Sequence, residues 1–231
     1  MNNKSIIVVL AILVAAAIGA GGYYAYSSGK IGASETAMTP AAAPAATPAA
    51  AVEGEAPVVA ADEMFLGKPD APVTIVEYFS LGCPHCKHFH ETILPQLKAE
   101  YIDTGKARIV FRDFPLDGVA LAAAQLTRCV SPMAYFAMVD TLFAQQSTWH
   151  VKDGVAQIAT IAKGAGMDQA AFDACLANQG VREKIVNGTK EGADVYKVEA
   201  TPTVLVNGKK VSNTGDYATV KEAVEAALAG Q

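Results

Sequence analysis

The sequence predicts an α/β domain with a helical insertion, and three observations carry that prediction. A β-branched and aromatic run at Val73–Phe79 is typical of a strand covered on both faces. A helix and a second strand, Lys106–Phe111, follow it, and strand–helix–strand units of this length pair their strands in parallel. Almost everything from about 118 to 196 is helix-forming, including a helix expected over Pro132–Gln146, and strand sequence resumes only with the segment Thr201–Val211. A helical block is therefore set inside an α/β frame.

Length and charge limit the classes of function. A chain of 231 residues has room for one good-sized domain plus appendages. The net charge is −5, and no stripe of Lys or Arg is present, so nucleic acid is not expected as a partner.

The N-terminus predicts a transmembrane anchor over residues 1–28. Ile6–Tyr26 carries no charge, and about 20 apolar residues suffice to cross a bilayer as a helix. Lys4 before this run favours a cytoplasmic N-terminus, and the tyrosines at its end suit the far interface. The alternative is a cleaved signal peptide, whose apolar region is usually only about 7–15 residues long. In both cases the rest of the chain is exported.

Residues 29–61 are rich in Ala, Pro and Thr and predict a disordered linker. Repeated prolines break helices, and the segment has too few large apolar side chains to offset the entropy of ordering. The folded domain is therefore expected over residues 62–231.

Several local signals define elements within that domain. Pro84 suits the first turn of a helix, and Pro95 is expected to kink that helix. Asn207-Gly208 between two apolar runs predicts a tight hairpin, because both residues tolerate positive φ. A last helix is expected from Tyr217 to about Leu228.

The chemistry is expected at Cys83 and Cys86, which open the helix after the first strand. The thiolate is the reactive form of cysteine, and the unpaired N–H groups and dipole of a helix N-terminus favour negative charge. His85 between them adds a further donor or positive charge. The spacing therefore supports a thiol–disulfide couple in which Cys83 reacts and Cys86 resolves. A stabilised thiolate stabilises the reduced form, which makes the disulfide oxidising.

Metal binding is the alternative from another class, because Cys-x-x-Cys also forms half of a zinc site. His85, His88 and His90 lie close by in the sequence. No second Cys-x-x-Cys or paired histidine motif has zinc-site spacing, so redox chemistry is favoured over a metal site. We interpret His88 and His90 as surface residues.

The segment Phe79–Cys86, Phe-Ser-Leu-Gly-Cys-Pro-His-Cys, resembles the active-site segment of DsbA-like thiol:disulfide oxidoreductases of the thioredoxin fold. The resemblance covers about residues 62–231, including the helical insertion. It implies a thioredoxin fold in which Pro84 and His85 tune the couple, since Pro-His is typical of the strongly oxidising branch. The family has a cis-proline beside the redox pair, and Thr201-Pro202 occupies that place, which implies that both residues bind substrate.

Two residues near the expected site point to finer detail. Thr201 departs from the Val that is common in the oxidases, and isomerase-like relatives often carry Thr there, so the resemblance also leaves isomerase or reductase activity open. Glu77 interrupts an apolar strand, and the family has a buried acid in this region that is suited to accept a proton from Cys86. The alternative is a glutamate at a solvated strand end.

Cys129 and Cys175 both lie in the helical block and fit no metal motif. In an oxidising compartment two such cysteines are expected to form a structural disulfide, and some alphaproteobacterial DsbA-like proteins resemble this chain in having one. The alternative is two separate buried thiols.

The expected function is a thiol:disulfide oxidoreductase of the bacterial periplasm, tethered to the inner membrane by its N-terminal helix. It would introduce disulfides into reduced exported proteins through Cys83 and Cys86, without a cofactor or a metal. The resemblance implies that a DsbB-like membrane oxidase regenerates the disulfide.

Overall fold

The structure, a computed structural model, describes residues 57–230. The predicted anchor at residues 1–28 lies outside this range, as does most of the predicted linker. Within residues 57–230 no helix combines the length and the apolar character needed to cross a membrane.

A five-stranded sheet forms the centre of the described domain. Its strands, in chain order, are β1 (Met64–Leu66), β2 (Val73–Phe79), β3 (Ala107–Asp113), β4 (Thr203–Val206) and β5 (Lys209–Lys210). Their spatial order is β1-β3-β2-β4-β5. β2 pairs with β3 in parallel and with β4 antiparallel, so the predicted βαβ unit is confirmed.

The crossover from β2 to β3 is helical throughout but not uniform. It consists of α1 (Pro84–His88), a π-helical turn (Phe89–Ile93), α2 (Leu94–Leu97) and a second π-helical turn (Lys98–Ile102). The first π-helical turn ends one residue before α2, which carries Pro95 in its first turn. A proline has no N–H to donate to the preceding turn, so the regular ladder is interrupted where the sequence predicted a kink.

Six helices form the insertion between β3 and β4. They are α3 (Gly118–Cys129), α4 (Tyr135–Ala144), α5 (Gln146–Trp149), α6 (Val155–Gly164), α7 (Gln169–Ala177) and α8 (Gln179–Asp194), with a 3-10 turn at Pro132–Ala134. The sequence predicted one helix from Pro132 to Gln146, and this is wrong at its end. Gln145 leaves helical geometry, with φ −101° and ψ 17°, so α4 ends at Ala144 and α5 starts separately at Gln146.

Helices cover both faces of the sheet, as the apolar run in β2 predicted. Side chains alternate between the faces of a strand. Ile75 and Phe79 face the larger core together with the crossover helix, whereas Val76 and Tyr78 pack in a second cluster with Val198. The position of Glu77 between Val76 and Tyr78 therefore turns its side chain toward the larger core.

The C-terminal part has the predicted hairpin and helix. Asn207 and Gly208 take positive φ values of 45° and 84° between β4 and β5. The Asn207 side chain also accepts a hydrogen bond from the Thr74 N–H at 2.8 Å, which joins the hairpin to β2. The last helix, α9 (Tyr217–Ala229), buries Val220 and Val224 against the larger core.

A disulfide joins Cys129, at the end of α3, to Cys175 in α7. Its Cα atoms are 5.9 Å apart, and it closes a loop of 46 positions. This is the pairing that the sequence predicted. It connects the first helix of the insertion to the fifth and lies within the helical block.

We predict that replacing both Cys129 and Cys175 by serine lowers the free energy of unfolding. A loop of this length corresponds to about 3–4 kcal/mol on the loop-entropy model. Chemical and thermal unfolding of the double variant and the parent measure the loss. The control is Ala177→Ser, a substitution at an exposed position in the helix that contains Cys175. Equal unfolding midpoints for the double variant and the parent would contradict the prediction.

Candidate active site

The two motif cysteines lie on a turn that links β2 to α1. The Cys83 N–H donates to the Ser80 carbonyl oxygen at 3.0 Å, and the Gly82 N–H lies 3.3 Å from the Ser80 hydroxyl oxygen. Cys83 is the N-cap of α1, with an extended backbone at φ −83° and ψ 123°, and Pro84 follows at the first helical position. The Cys83 side chain thus lies at the helix N-terminus, where the sequence placed it.

The Cys83 sulfur is a strongly acidic thiol. The hydrogen bond from the Cys86 thiol lowers the pKa of Cys83 most, and the nearby Thr201 side chain and the backbone N–H groups of Cys86 and His85 lower it further. Burial acts in the opposite direction, and the resulting pKa is about 5. Cys83 therefore carries a thiolate at neutral pH, although only 5% of the residue is exposed.

Cys86 has the opposite character. Burial raises the pKa of its thiol most, and the hydrogen bond to Cys83 and the negative charge of Glu77 raise it further. The residue is completely buried, and the Ser80 N–H points at its sulfur from 3.5 Å. Both cysteines are free in the structure, so one thiol is held as the anion and its neighbour as the proton donor to it.

Glu77 is a fully buried carboxyl group, so the alternative of a solvated strand end is wrong. Neither of its carboxyl oxygens has a hydrogen-bond partner among the described residues. Burial raises the pKa of Glu77 well above its ordinary value, and the charge on Cys83 adds to the rise. These surroundings favour the neutral, protonated form of the carboxyl group.

Thr201 and Pro202 are brought next to Cys83 from far along the chain. The peptide bond between them is cis. The Thr201 carbonyl oxygen lies 3.2 Å from the Cys83 sulfur, across 118 positions of sequence. The buried Thr201 hydroxyl has no hydrogen-bond partner of good geometry among the described residues, and the Thr201 side chain contributes to the lowered pKa of Cys83. Cys83, Cys86, Glu77 and Thr201 therefore form one cluster.

The two residues between the cysteines are exposed to solvent, unlike the cysteines themselves. Pro84 and His85 are both exposed at the start of α1. Through its backbone N–H, His85 lowers the pKa of Cys83. Cys129 and Cys175 belong to the helical block and are joined to each other, so they are not part of the cluster.

Sequence reasoning missed two contacts that the insertion makes with the turn. The Gln146 side-chain amide donates to the carbonyl oxygens of Leu81 and Cys83. The His150 ring lies against Gly82, where a Cβ atom would approach its Nε2 to 2.6 Å. The same Nε2 is paired with Asp117 at 2.8 Å. Gln146 and His150 lie at the two ends of a short helix, and nothing in the neighbouring sequence indicates that they contact the cysteine turn.

The neighbouring histidines are not gathered around the cysteines. His88 is exposed, as predicted, and its ring lies 3.3 Å from the Gly215 carbonyl oxygen. The prediction that His90 is a surface residue is wrong, because the residue is only 7% exposed. Its ring packs on Phe143 and its Nε2 lies 3.1 Å from Asp140. In residues 57–230 no group of three or more His, Cys, Asp or Glu side chains is arranged to hold a metal ion.

Comparisons with known proteins match the domain just described. A family model described as thioredoxin covers residues 60–226. A probable disulfide bond formation protein D of Bacillus cereus is 31% identical over 171 residues, which span 71% of this chain and 77% of the relative. The chain belongs to the DsbA-like branch of the thioredoxin family.

A solved structure and a second relative support this membership. The crystal structure of Wolbachia pipientis alpha-DsbA1 superposes with a TM-score of 0.69 at 27% identity, over 78% of this chain and 97% of that one. A putative protein-disulfide oxidoreductase of Rickettsia bellii is 34% identical over 154 residues, which are 66% of this chain. The match spans only 60% of the length of the Rickettsia protein. The predicted thioredoxin fold with a helical insertion is thereby confirmed.

We predict that the reduced form gains stability over the oxidised form as pH rises. The pKa of Cys83 falls from an ordinary value of 9.0 to about 5 on folding, so its contribution is complete above pH 9 and disappears as pH falls through 5. The oxidised form has no such thiolate. Denaturant unfolding of both forms across this range measures the difference. Cys83→Ser should abolish the pH dependence that Cys83 contributes to the stability of the reduced form. A stability difference between the reduced and oxidised parent that does not change with pH would contradict the prediction.

A second pH effect is predicted for Glu77→Gln. The raised pKa of Glu77 stabilises the fold below its ordinary value of 4.5, and this contribution is lost as pH rises toward the folded-state pKa. The amide cannot ionise, so the stability of the variant relative to the parent should increase with pH. Unfolding of the oxidised form, which lacks the Cys83 charge, measures it. Glu199→Gln, at an exposed position, is the control. A variant whose relative stability is independent of pH would contradict the prediction.

Proposed function

We propose that the chain is an exported thiol:disulfide oxidoreductase that introduces disulfides into other proteins through Cys83 and Cys86. The observation that carries the proposal is the opposite tuning of two adjacent thiols. Cys83 is held as a thiolate with a pKa of about 5, and burial holds Cys86 as a neutral thiol. An acidic thiol is a good leaving group in disulfide exchange, and a stabilised thiolate favours the reduced form of the enzyme. The couple therefore favours oxidation of its substrate.

The reaction starts from the oxidised couple. A substrate thiolate attacks the Cys83 sulfur, the Cys83–Cys86 bond breaks, and the electron pair leaves on Cys86, which takes up a proton. A mixed disulfide now joins the substrate to Cys83. A second substrate thiolate attacks the substrate sulfur of that bond, and Cys83 leaves as a thiolate. The substrate gains a disulfide, and the enzyme gains the two electrons as the reduced couple.

Glu77 is proposed to carry the proton of Cys86. Glu77 is buried on β2, the strand that leads into the cysteine turn, and its charge acts on Cys86, although its carboxyl group has no hydrogen bond among the described residues. Cys86 must lose a proton when the disulfide is formed again, and its raised pKa makes that step unfavourable without a base. A buried carboxyl with a raised pKa is suited to accept and release one proton.

Thr201 and Pro202 are proposed to bind the substrate chain beside Cys83. The Thr201 carbonyl oxygen is within 3.2 Å of the sulfur, so a peptide paired with this backbone would bring its own cysteine to the reactive atom. The presence of Thr at this position also supports isomerase activity as the second candidate, in which the reduced couple reshuffles incorrect disulfides of the substrate.

The proposed setting is the bacterial periplasm, with the predicted helix in residues 1–28 holding the domain at the inner membrane. The substrates are reduced exported proteins. A DsbB-like membrane oxidase would accept the two electrons and return the couple to the disulfide form. The uncharged apolar run Ile6–Tyr26 supports export, and the similarity to a disulfide bond formation protein supports the redox role.

We predict that Cys86→Ser forms a stable mixed disulfide with a peptide whose single cysteine is activated as a disulfide with an aromatic thiol, which leaves when Cys83 attacks. The Cys83 thiolate attacks the peptide, and no second enzyme thiol is present to release it. Cys83→Ser should form none, because Cys86 is buried and protonated. Mass spectrometry under non-reducing conditions distinguishes the two variants. An adduct on Cys83→Ser but not on Cys86→Ser would reverse the assigned roles.

The reduction potential of the parent separates the two candidate functions. We predict a value well above the about −270 mV of thioredoxin, together with rapid oxidation of a reduced peptide with two cysteines. Equilibration with glutathione measures the potential. A thioredoxin-like potential together with efficient rescue of scrambled substrates would favour the isomerase instead.

A further inference from the structure

Gln146 connects the helical insertion to the turn that carries Cys83. It is the first residue of α5 and is only 8% exposed. Its Nε2 lies 2.7 Å from the Leu81 carbonyl oxygen and 3.0 Å from the Cys83 carbonyl oxygen. A side-chain amide has two N–H groups, so both contacts are satisfied at the same time.

These two carbonyl groups lie on either side of the reactive residue. The Leu81 carbonyl belongs to the peptide bond before Gly82, and the Cys83 carbonyl belongs to the one before Pro84. Holding both oxygens fixes the Leu81–Gly82 and Cys83–Pro84 peptide planes, and the bond from the Cys83 N–H to the Ser80 carbonyl oxygen fixes the plane between them. Together these contacts set the direction in which the Cys83 side chain leaves the backbone. The Cys83 carbonyl also accepts the first helical hydrogen bond, from the Lys87 N–H at 3.1 Å. The same side chain therefore holds the turn and the start of α1.

The segment that carries Gln146 is itself firmly anchored. The Trp149 indole is fully buried and donates to the Leu142 carbonyl oxygen at 2.7 Å. Beyond it, His150 lies against Gly82 and pairs with Asp117, which also caps α3. The turn is thus held from two sides by neighbouring residues of the insertion.

We propose that Gln146 is a positioning residue that keeps the Cys83 sulfur aligned with the N–H groups of α1, so that the insertion helps to set the redox couple. The inference rests on the proposed function and adds a residue to it. Alignment matters because the backbone N–H groups of His85 and Cys86 stabilise the anion but contribute nothing comparable to the disulfide. Loss of Gln146 should therefore disfavour the reduced form relative to the oxidised form, rather than weaken both equally.

The test compares Gln146→Met with Gln125→Met. Methionine has a similar length but no N–H donors. Gln125 is a matched control, because it is a buried glutamine of the same insertion whose Nε2 donates to the Leu176 carbonyl oxygen, away from the turn. For Gln146→Met we expect the pKa of Cys83, measured from the ultraviolet absorbance of the thiolate, to rise by about one unit, a tenfold change in its ionisation. The glutathione equilibrium should shift toward the disulfide, while Gln125→Met changes neither value.

The results separate failure of this inference from failure of the proposed function. An unchanged pKa of Cys83 and an unchanged equilibrium in Gln146→Met would overturn the inference and leave the proposed function intact. An ordinary thiol pKa in the parent itself would overturn the proposed function. Equal shifts in both variants would assign the effect to general loosening of the insertion and also overturn the inference.

A measurement on the parent applies even if Gln146→Met does not fold. The side-chain amide resonances of Gln146 in NMR spectra should exchange slowly with solvent and should shift as Cys83 titrates, with the same midpoint. The Gln125 amide should exchange slowly without following that titration. Rapid exchange of the Gln146 amide protons, or chemical shifts that do not change as Cys83 ionises, would overturn the inference.

Discussion

The hydrogen bond between the two active-site sulfurs is the interaction on which the rest of the site depends. It lowers the pKa of Cys83, and it adds to the rise in the pKa of Cys86 that burial causes, so one contact contributes to both halves of the asymmetry. It requires Cys83 at the N-cap of α1 and Cys86 within the first turn of that helix. The end of β2, the Ser80 turn and the proline at the first helical position produce that placement. The rest of the fold brings further groups to a sulfur pair whose geometry is set locally.

Two buried polar groups near the cysteines lack hydrogen bonds to other described residues, which lowers the stability of the folded state. Glu77 is buried in the core face of a central strand with neither oxygen hydrogen-bonded among residues 57–230, and the Thr201 hydroxyl is likewise buried without a hydrogen bond. Buried polar groups are normally paired, and unpaired ones concentrate where function requires them. Both groups act on the cysteine pair, because Glu77 raises the pKa of Cys86 and Thr201 lowers that of Cys83. The disulfide between Cys129 and Cys175 supports the surrounding insertion covalently.

Features governed by local sequence were predictable, whereas features made by distant contacts were not. The strand at Val73–Phe79 and the hairpin at Asn207-Gly208 follow from side-chain periodicity and positive φ, which neighbouring residues determine. His90 was misplaced because its burial depends on Phe143, which belongs to the insertion. The helix break at Gln145 and the contacts of Gln146 depend on the turn that α5 meets in space. The family resemblance placed Thr201 near the site, although no local pattern in the sequence would have done so.

The separation of Thr201 from Cys83 along the chain has a consequence for the order in which the protein matures. Synthesis proceeds from the N-terminus, so both cysteines are present before Thr201, whose carbonyl oxygen lies beside Cys83 from 118 positions further along the chain. The group that lowers the pKa of Cys83 most, the Cys86 thiol, is close to it in sequence, whereas the segment proposed to bind substrate takes its place only when β4 pairs with β2. The acidic thiol and its proposed substrate-binding edge are therefore completed at different stages of folding.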